Sequence, residues 1–231
     1  MARVIIPQGS ERIVYNGPNL PAFSHLKTLS VWIYRTSNDN GFLYRVAQES
    51  DVNAGNRWVL GSNNNTSQGP NPGHRWYIYG PSGYRCSWIW AYPPLNVWYH
   101  VCVIHNTSPR GTVPIIYQNG VQQALSQYDD WNEDPTTGLA SLRLGNNNSG
   151  GGGWCGKLQN MACWYDALSA AEVQALYRGV SPHRIRTGKL IWHFPFVQTS
   201  EEGDWAGPRA GERYGCPSEV APVPAGPIIV Q

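Results

Sequence analysis

The chain has 231 residues, of which 14% are charged and 12% aromatic, and its formal net charge is +2. Few charges and many aromatic residues exclude a disordered chain, and the lack of a G-X-Y period excludes a collagen-like one. No apolar stretch approaches the ~18 residues of a membrane span, and no clustered basic face marks a nucleic-acid-binding protein. The 25 glycines and 18 prolines favour many short strands joined by tight turns.

The first half of the chain has the alternating pattern of a β-sheet protein. Within residues 29–35, Leu29 and Ile33 share one face, whereas Trp32 and Tyr34 share the other. Because both faces are apolar, we expect this strand to be covered on both sides. Further strands are predicted at residues 42–47, 57–60, 76–79, 86–91 and 97–104.

The second half of the chain continues the pattern with a hairpin. Residues 113–117 and 121–125 flank Asn119 and Gly120, a pair that favours a two-residue turn because both residues accept a positive φ. Later strands are predicted at residues 139–145, 157–165 and 188–196.

One short helix is predicted near residues 169–178. Ser169 and Glu172 have the spacing of a capping box, which marks the N-terminus of a helix. Gly179 stands where the left-handed C′ residue is expected, and Pro182 prevents further helical turns. Many strands with one small helix predict an all-β fold, a two-sheet antiparallel sandwich.

The chain is predicted to have one body with two extensions. Residues 1–12 are expected to form an N-terminal arm and residues 13–197 the β-sandwich. Residues 198–231 are rich in proline and turn residues, and they are expected to form an arm that packs on the sandwich or on a neighbour.

The N-terminus and the cysteines bear on where the protein is found. The first apolar run ends at Pro7, too early for a secretory signal peptide, so we expect synthesis in the cytoplasm. An odd number of cysteines without a Cys-x-x-Cys pair argues against a zinc site. Cys102 and Cys163 lie in apolar strands and are expected in the core. Three cysteines lie in turn-rich stretches, where exposure and a disulfide are both open: Cys86, Cys155 and Cys216.

Five motifs occur in a fixed order over about residues 10–180. They are LSVWIYRTS (29–37), NVWYHVCV (96–103), IYQNGV (116–121), LRLGN (142–146) and WCGKLQNMACWYDALSAAEV (154–173). Together they resemble the ordered motifs of laminin-G-like, concanavalin A-like lectin and glucanase domains. The resemblance implies a two-sheet jelly roll.

A narrower resemblance concerns the stretch GVSPHRIRTGKLIWHFPF (179–196) and the proline-rich end of the chain. Both are similar to laminin-G-like proteins encoded among the structural genes of tailed phages. This resemblance implies a non-enzymatic virion protein, and our leading hypothesis is a decoration protein on the capsid surface. Its partners would be the major capsid protein and further copies of itself, a trimer being one option. The alternative is a lectin module that binds host glycans.

Enzymatic cleavage of a glycan is not expected from the distribution of carboxylates. Glycoside hydrolysis needs two carboxyl groups at a fixed separation, and alternate residues of one strand face one cleft. Glu49 and Asp51 come closest to that spacing, but no further strand carboxylate continues it. We therefore expect no catalytic residue.

No cofactor is expected either, with calcium as the one alternative. Calcium needs about 6–8 oxygen ligands, several of them anionic. At two positions where the resembled family carries an aspartate, this chain has Gln159 and Asn119, which removes charge. A loop site would then depend on Asp129, Asp130 and Asp134.

Carbohydrate binding remains compatible with the sequence, because aromatic faces and planar amides are the groups that hold sugars. The polar loops at 61–75 and 146–153 are rich in asparagine. The candidate contacts for a glycan or a partner are Trp76, Tyr77, Trp88, Trp90, Asn63, Asn64, Asn146 and Asn147. The competing interpretation is that the tryptophans pack inside the sheets or at a subunit contact.

Overall fold

The computed structural model of the chain describes twelve stretches of residues. They are 3–5, 12–16, 27–36, 43–51, 55–63, 73–79, 85–106, 112–130, 140–145, 156–196, 202–204 and 209–214. Statements about structure below refer to these residues.

The described residues form sixteen strands and one α-helix. The strands are β1 (Arg3–Ile5), β2 (Arg12–Asn16), β3 (Lys27–Arg35), β4 (Leu43–Asp51), β5 (Gly55–Asn63), β6 (Gly73–Tyr79), β7 (Arg85–Trp90), β8 (Trp98–His105), β9 (Ile115–Gln118), β10 (Val121–Gln122), β11 (Ser126–Asp129), β12 (Ala140–Leu144), β13 (Gly156–Trp164), β14 (Leu190–Phe194), β15 (Glu202–Asp204) and β16 (Arg209–Tyr214). The helix α1 spans Ala170–Tyr177, and 3-10 turns follow at Pro182–Arg184 and Thr187–Lys189.

The strands are arranged in two antiparallel sheets. Sheet A has the order β1-β13-β3-β8-β9-β10, with β14 also paired to β13, and sheet B has the order β11-β7-β6-β5-β4-β12-β2-β16-β15. Strands distant in sequence are neighbours in both sheets, as β3 is to β8 and β13. The predicted all-β, two-sheet antiparallel jelly roll is confirmed.

The main core lies between the two sheets. In β3 and β8 the alternate residues Leu29, Val31 and Val101 are buried, and they belong to the same cluster as Trp76 and Trp88 of sheet B. Since successive strand residues point to opposite faces, the other residues of β3 and β8 lie on the outer face of sheet A.

A second apolar cluster covers part of that outer face. Cys102 and Trp164 of sheet A pack there with Val173 and Leu176 of α1, and Leu168 before the helix joins them. The helix therefore acts as a third, short layer over sheet A, and the prediction that β3 has two covered faces holds for this end of the sheet.

The helix ends are built as the sequence predicts. The Ser169 hydroxyl accepts a hydrogen bond from the Glu172 backbone N–H, and the Glu172 carboxylate accepts one from the Ser169 N–H at 2.7 Å. At the other end Gly179 has φ +89°, and its N–H donates to the carbonyl of Leu176 at 3.0 Å. The N–H of Val180 donates to the Ala175 carbonyl, which completes a Schellman motif.

Several strands extend beyond their predicted limits. β5 continues to Asn63 and β6 begins at Gly73, so both ends of the predicted 61–75 loop belong to strands. The reason is pairing, because Asn63 and Gly73 are cross-strand partners, and such contacts override the low strand propensity of the two residue types. The edge strand β11 is an addition to the predicted strands, since its residues are polar and mostly exposed.

Both predicted arms contain strands that belong to the sheets. β1, inside the predicted N-terminal arm, pairs with β13, and β16, inside the predicted C-terminal arm, pairs with β2.

The structure describes the surroundings of three cysteines. Cys102 and Cys163 are buried as expected. Cys86 is also buried, so the option of an exposed Cys86 is wrong, because it lies in β7 with its side chain in the main core. Cys155 and Cys216 lie outside the described residues.

Four histidines of the described residues are buried in or against the sheets, namely His74, His100, His105 and His193. His74 of β6 stacks on Trp90 at a ring distance of 5.2 Å. His105 of β8 accepts a hydrogen bond from the Trp76 indole at Nδ1 (2.9 Å), so its Nε2–H donates to the Thr112 carbonyl (2.6 Å). Burial lowers the pKa of His74 to about 3, with the nearby charge of Arg35 as a second cause. Burial likewise lowers the pKa of His100 to about 3 and that of His105 to about 4.

The close approach of β6 to β7 leaves no room for a side chain at Gly73. A Cβ there would lie 2.3 Å from the Trp90 carbonyl oxygen and 2.9 Å from Ile89 Cγ2. We expect Gly73→Ala to lower the free energy of unfolding in urea by about 1–3 kcal/mol, since overpacked sites relax at that cost. Gly188→Ala is the control, because a Cβ at Gly188 meets nothing within 4 Å. Equal effects of the two substitutions would contradict the prediction.

The buried histidines predict loss of stability in acid. In the unfolded chain each binds a proton below pH ~6.5, whereas in the folded chain His74, His100 and His105 stay neutral down to about pH 3–4. Their contribution is therefore fully present above pH ~6.5 and is lost progressively below it, by up to about 1.4 kcal/mol per pH unit for each histidine. Urea unfolding between pH 7.5 and 4.5 measures the slope. His74→Phe keeps an aromatic ring and should reduce the slope by about one histidine's share; an unchanged slope would contradict this assignment.

Candidate ligand-binding surface

Three of the predicted glycan contacts are core residues. Trp76 and Trp88 are cross-strand partners in β6 and β7, and with Trp90 they are 1–2% exposed. All three belong to the cluster between the sheets. Their indole rings therefore offer no face to a ligand at the surface, and the packing interpretation is confirmed for them.

Tyr77 lies on the outer face of sheet B, but it is also buried. The guanidinium of Arg75 lies between two aromatic rings, 4.3 Å from that of Tyr77 and 4.5 Å from that of Tyr128. Arg75 donates to the Ser87 hydroxyl at 2.9 Å and to the Asp129 carboxylate at 2.5 Å. This largely buried ion pair ties the edge strand β11 to sheet B.

A β-bulge explains how β11 supplies two contacts to Arg75. Gln127 pairs with Trp88 and Asp129 pairs with Ser87, so Tyr128 is the extra residue between them. The bulge brings the Tyr128 ring and the Asp129 carboxylate to the same side of the strand. Because the carboxylate is held by Arg75 and Ser87, its role here is structural.

The predicted asparagines are placed only in part. Asn63 is the last residue of β5 and pairs with Gly73, next to the strands that carry Trp76 and Tyr77. Asn64, Asn146 and Asn147 lie outside the described residues. The structure thus brings the predicted tryptophans and Tyr77 to neighbouring strands, but it divides them between the two faces of sheet B.

The residues considered for calcium and catalysis have other surroundings. The Asn119 side chain accepts a hydrogen bond from the His100 N–H at 2.9 Å, and Gln159 is buried in β13. Glu49 and Asp51 lie at the end of β4. Among the described residues no group of three or more His, Cys, Asp or Glu side chains is placed to hold a metal ion. Asp134 lies outside them.

A group of partly accessible aromatic residues lies on the outer face of sheet A. We define the aromatic strip as Trp32 and Tyr34 of β3, Trp98 of β8 and Tyr177 of α1. All four are half-buried, in contrast to the buried tryptophans of sheet B. The register places Lys157, Tyr34 and Trp98 in one row across three strands, and Gln159, Trp32 and His100 in the next row.

The strip exists because the helix is too short to cover the outer face of sheet A. Eight helical residues span about 12 Å. They cover the end of the sheet that carries Cys102 and Trp164, and they stop at Tyr177, whose ring stacks on Trp32 at 5.9 Å. Beyond this contact Tyr34 and Trp98 lie on the sheet with their rings 5.5 Å apart.

The strip rests on a rigid and uncharged base. The Trp32 ring lies 5.4 Å from the ring of His100, and His100 Nε2 is hydrogen-bonded to the Ser30 hydroxyl at 2.8 Å. Because the pKa of His100 is lowered to about 3, this base is neutral near pH 7. At the edge of the strip, the Lys157 ammonium lies 5.6 Å from the centre of the Tyr34 ring.

The sequence contains part of this information. The alternation in residues 29–35 places Trp32 and Tyr34 together on the second face of β3, a face that the sequence predicts to be covered. The motif around Trp98 serves in the sequence only as a sign of the fold. The alternation of residue types does not show how much of the sheet α1 covers. That length decides which of the outer aromatic rings stay accessible.

Comparison with known proteins identifies the family to which the chain is similar. The family model described as concanavalin A-like lectin/glucanases superfamily matches residues 9–174. A search of curated protein sequences finds no match. Among the described residues no helix is long and apolar enough to cross a membrane.

Solved structures share the fold at low sequence identity. A candidate carbohydrate binding protein from Bacteroides ovatus has a TM-score of 0.63 at 19% identity, over 97% of this chain and 62% of that one. A heptameric SAP-like pentraxin from Limulus polyphemus has a TM-score of 0.55 at 16% identity, over 76% of this chain and 81% of that one.

The receptor binding domain of a botulinum neurotoxin mosaic serotype C/D has a TM-score of 0.58 at 17% identity, over 76% of this chain. This chain spans only 41% of that structure. The three likenesses show the fold, and the matched family model covers well over half of the sequence. The chain belongs to the concanavalin A-like lectin/glucanase superfamily.

Proposed function

We propose that this chain is a non-catalytic carbohydrate-binding domain whose ligand contacts the aromatic strip. The observation that carries the proposal is the row of half-buried aromatic rings on sheet A, at the end of α1 and beyond it. The superfamily and the binding proteins among the similar structures support it.

The chemistry of the strip suits a sugar. Contiguous apolar patches at a protein surface mark interaction sites when they are large. An aromatic ring presents a flat apolar face to the C–H groups of a pyranose, and the sheet holds Tyr34 and Trp98 in fixed positions. Prearranged rings lose little conformational entropy on binding.

Among the described residues, the strip and Lys157 beside it bring together no pair of carboxyl groups, which supports binding without cleavage. A glycosidase needs an acid and a second carboxyl group on either side of the scissile bond. The four aromatic residues of the strip and Lys157 beside them supply neither. We therefore infer that a bound glycan is released unchanged.

The outer face of sheet B is the less suitable surface. Tyr128 is 38% exposed there, but the charged groups around it are engaged with one another, as Arg75 is with Asp129. A ligand that took up either group would have to break a nearly buried ion pair, which is costly. The aromatic strip requires no such exchange.

Substitution in the strip tests the proposal. We expect Trp98→Ala to weaken glycan binding by at least about 2 kcal/mol, roughly 30-fold, because an aromatic anchor at the centre of a contact contributes that much. The measurement is a glycan array followed by calorimetry with the strongest hit. Tyr165→Ala is the matched control, since Tyr165 is 48% exposed elsewhere and should leave affinity unchanged.

Two outcomes would contradict this proposal. An array without hits above background for the native chain would overturn the carbohydrate-binding function. Hits that are lost in Tyr128→Ala but kept in Trp98→Ala would place the site on sheet B and overturn the role of the strip. Thermal unfolding of each variant shows that the fold is intact.

A capsid-surface role stays a prediction, which rests on the resemblance of residues 179–196 to tailed-phage structural proteins. It is compatible with glycan binding, because a protein bound to a capsid can present a lectin surface outwards. If it is correct, the chain is found in the virion as a homo-oligomer bound to the major capsid protein. The purified chain should then sediment with empty capsids of its phage, and lack of affinity for them would overturn this role.

A further inference from the structure

We infer that the end of the aromatic strip beside α1 binds a neutral hexopyranose, whose hydroxyl groups are hydrogen-bonded by the side-chain amides of Gln174 and Asn119. This inference rests on the proposed function and adds the chemical class of the ligand and the polar groups that recognise it. It concerns the place where Tyr177 of α1 stacks on Trp32 and where the turn between β9 and β10 meets the helix.

The turn between β9 and β10 packs directly against the helix. A Cβ placed on Gly120 would lie 3.0 Å from the side-chain amide carbon of Gln174 and 3.2 Å from Cδ1 of the Tyr177 ring. Because glycine lacks that atom and accepts the φ of +75° found here, the Gln174 amide can lie over the turn. The amide and the Tyr177 ring lie on one side of the helix, since residues three positions apart are neighbours on its surface.

Asn119 brings a second amide to the same place. Its Oδ1 accepts a hydrogen bond from the His100 backbone N–H at 2.9 Å, and its own backbone N–H donates to the His100 carbonyl at 2.9 Å. Because Oδ1 faces a donor, the orientation of the amide is fixed and its two Nδ2–H donors remain for other acceptors. Since Gln174 lies over the residue that follows Asn119, the two amides are neighbours, and both side chains are half-buried.

Neither amide is fully used within the fold. In the part of the chain that the structure describes, the Gln174 amide makes no hydrogen bond, and the Asn119 amide makes only the one that its Oδ1 accepts. A planar amide has two donors and an acceptor oxygen, so the pair offers donors and acceptors to adjacent hydroxyl groups of one sugar. A few placed polar groups beside an aromatic surface are what orients a ligand and gives a site its specificity.

The described side chains that meet at this junction are uncharged. The His100 ring lies 5.4 Å from that of Trp32 and 6.4 Å from that of Tyr177, so it forms the floor beneath them. Burial lowers the pKa of His100 to about 3, which keeps this floor neutral near pH 7. Arg178 follows Tyr177 but is exposed, where water screens its charge and an ion pair contributes little. An acidic group placed on the rings would lose water without gaining a buried cation, so the junction favours a neutral sugar.

The test begins with a glycan array of neutral, uronic-acid, sialylated and sulfated oligosaccharides, followed by calorimetry with the strongest hit. We expect neutral glycans to dominate the hits. Gln174→Met keeps the length of the side chain and removes the amide, so it should weaken binding about three- to tenfold, the effect of one lost hydrogen bond. Asn119→Asp keeps the acceptor for the His100 N–H and removes the donors, so it should weaken binding similarly. Gln127→Met is the matched control, because Gln127 is an exposed amide of β11 in sheet B.

Monodeoxy analogues of the strongest hit separate recognition from packing. Each analogue lacks one hydroxyl group and keeps the sugar rings. The native chain should lose affinity for at least one analogue, and Gln174→Met should bind that analogue and the parent sugar equally well, because the hydroxyl group has no partner left to lose. The same difference in both chains, or a native chain that is insensitive to every analogue, would contradict the inference.

The outcomes separate this inference from the function it rests on. Neutral hits that are lost in Trp98→Ala but bound normally by both amide variants would overturn the amide site and leave the carbohydrate-binding function intact. Acidic glycans as the dominant hits would overturn the neutral class, and their loss in Arg178→Met would assign recognition to that cation. No hits at all would overturn both. Thermal unfolding of each variant shows that a loss of binding is not a loss of fold.

Discussion

β3, β8 and β13 carry apolar side chains on both faces, and covering both faces is the constraint on which the rest of the structure depends. The inner face is covered by sheet B, through the cluster that contains Val31, Val101 and Trp88. Among the described residues, α1 and the segments beside it cover part of the outer face. Burial of an aliphatic or aromatic side chain stabilises a fold by about 1.5–3 kcal/mol, so each covered residue contributes appreciably.

The helix is fixed in place from both ends, which determines where the cover stops. The capping box at Ser169 and the left-handed Gly179 restrict it to eight residues. Arg186 bonds Glu172 and Asp166, which links the helix start to the chain on either side. The helix ends with Tyr177 against Trp32, and without the helix the second cluster would be exposed. The accessible strip is thus a consequence of helix length.

Much of the fold is predictable from the sequence because its signals are local. The Asn119-Gly120 turn has both residues at positive φ, and the capping box and the Schellman glycine occur at the expected positions. Each of these features depends on a few neighbouring residues whose backbone preferences are known. The ordered motifs add the sheet architecture, which no local pattern contains.

The predictions that fail concern features that depend on partners distant in sequence. Gly73 and Arg75 belong to a stretch with the composition of a loop, yet they lie in a strand because β5 and β7 pair with β6 on both sides. The burial of Trp76, Trp88 and Trp90 escapes prediction for a similar reason, since residue type alone does not say which face of a strand is covered.

Tryptophan shows the difference most clearly. Of the tryptophans whose side chains are described, six are buried, namely Trp58, Trp76, Trp88, Trp90, Trp164 and Trp192. Trp32 and Trp98 are half-buried, and both lie on the outer face of sheet A beyond the helix. The same residue type therefore stabilises the fold at one set of positions and stays accessible at another. Because the two sets lie on different faces, a change at Trp98 can alter recognition while the core between the sheets is preserved.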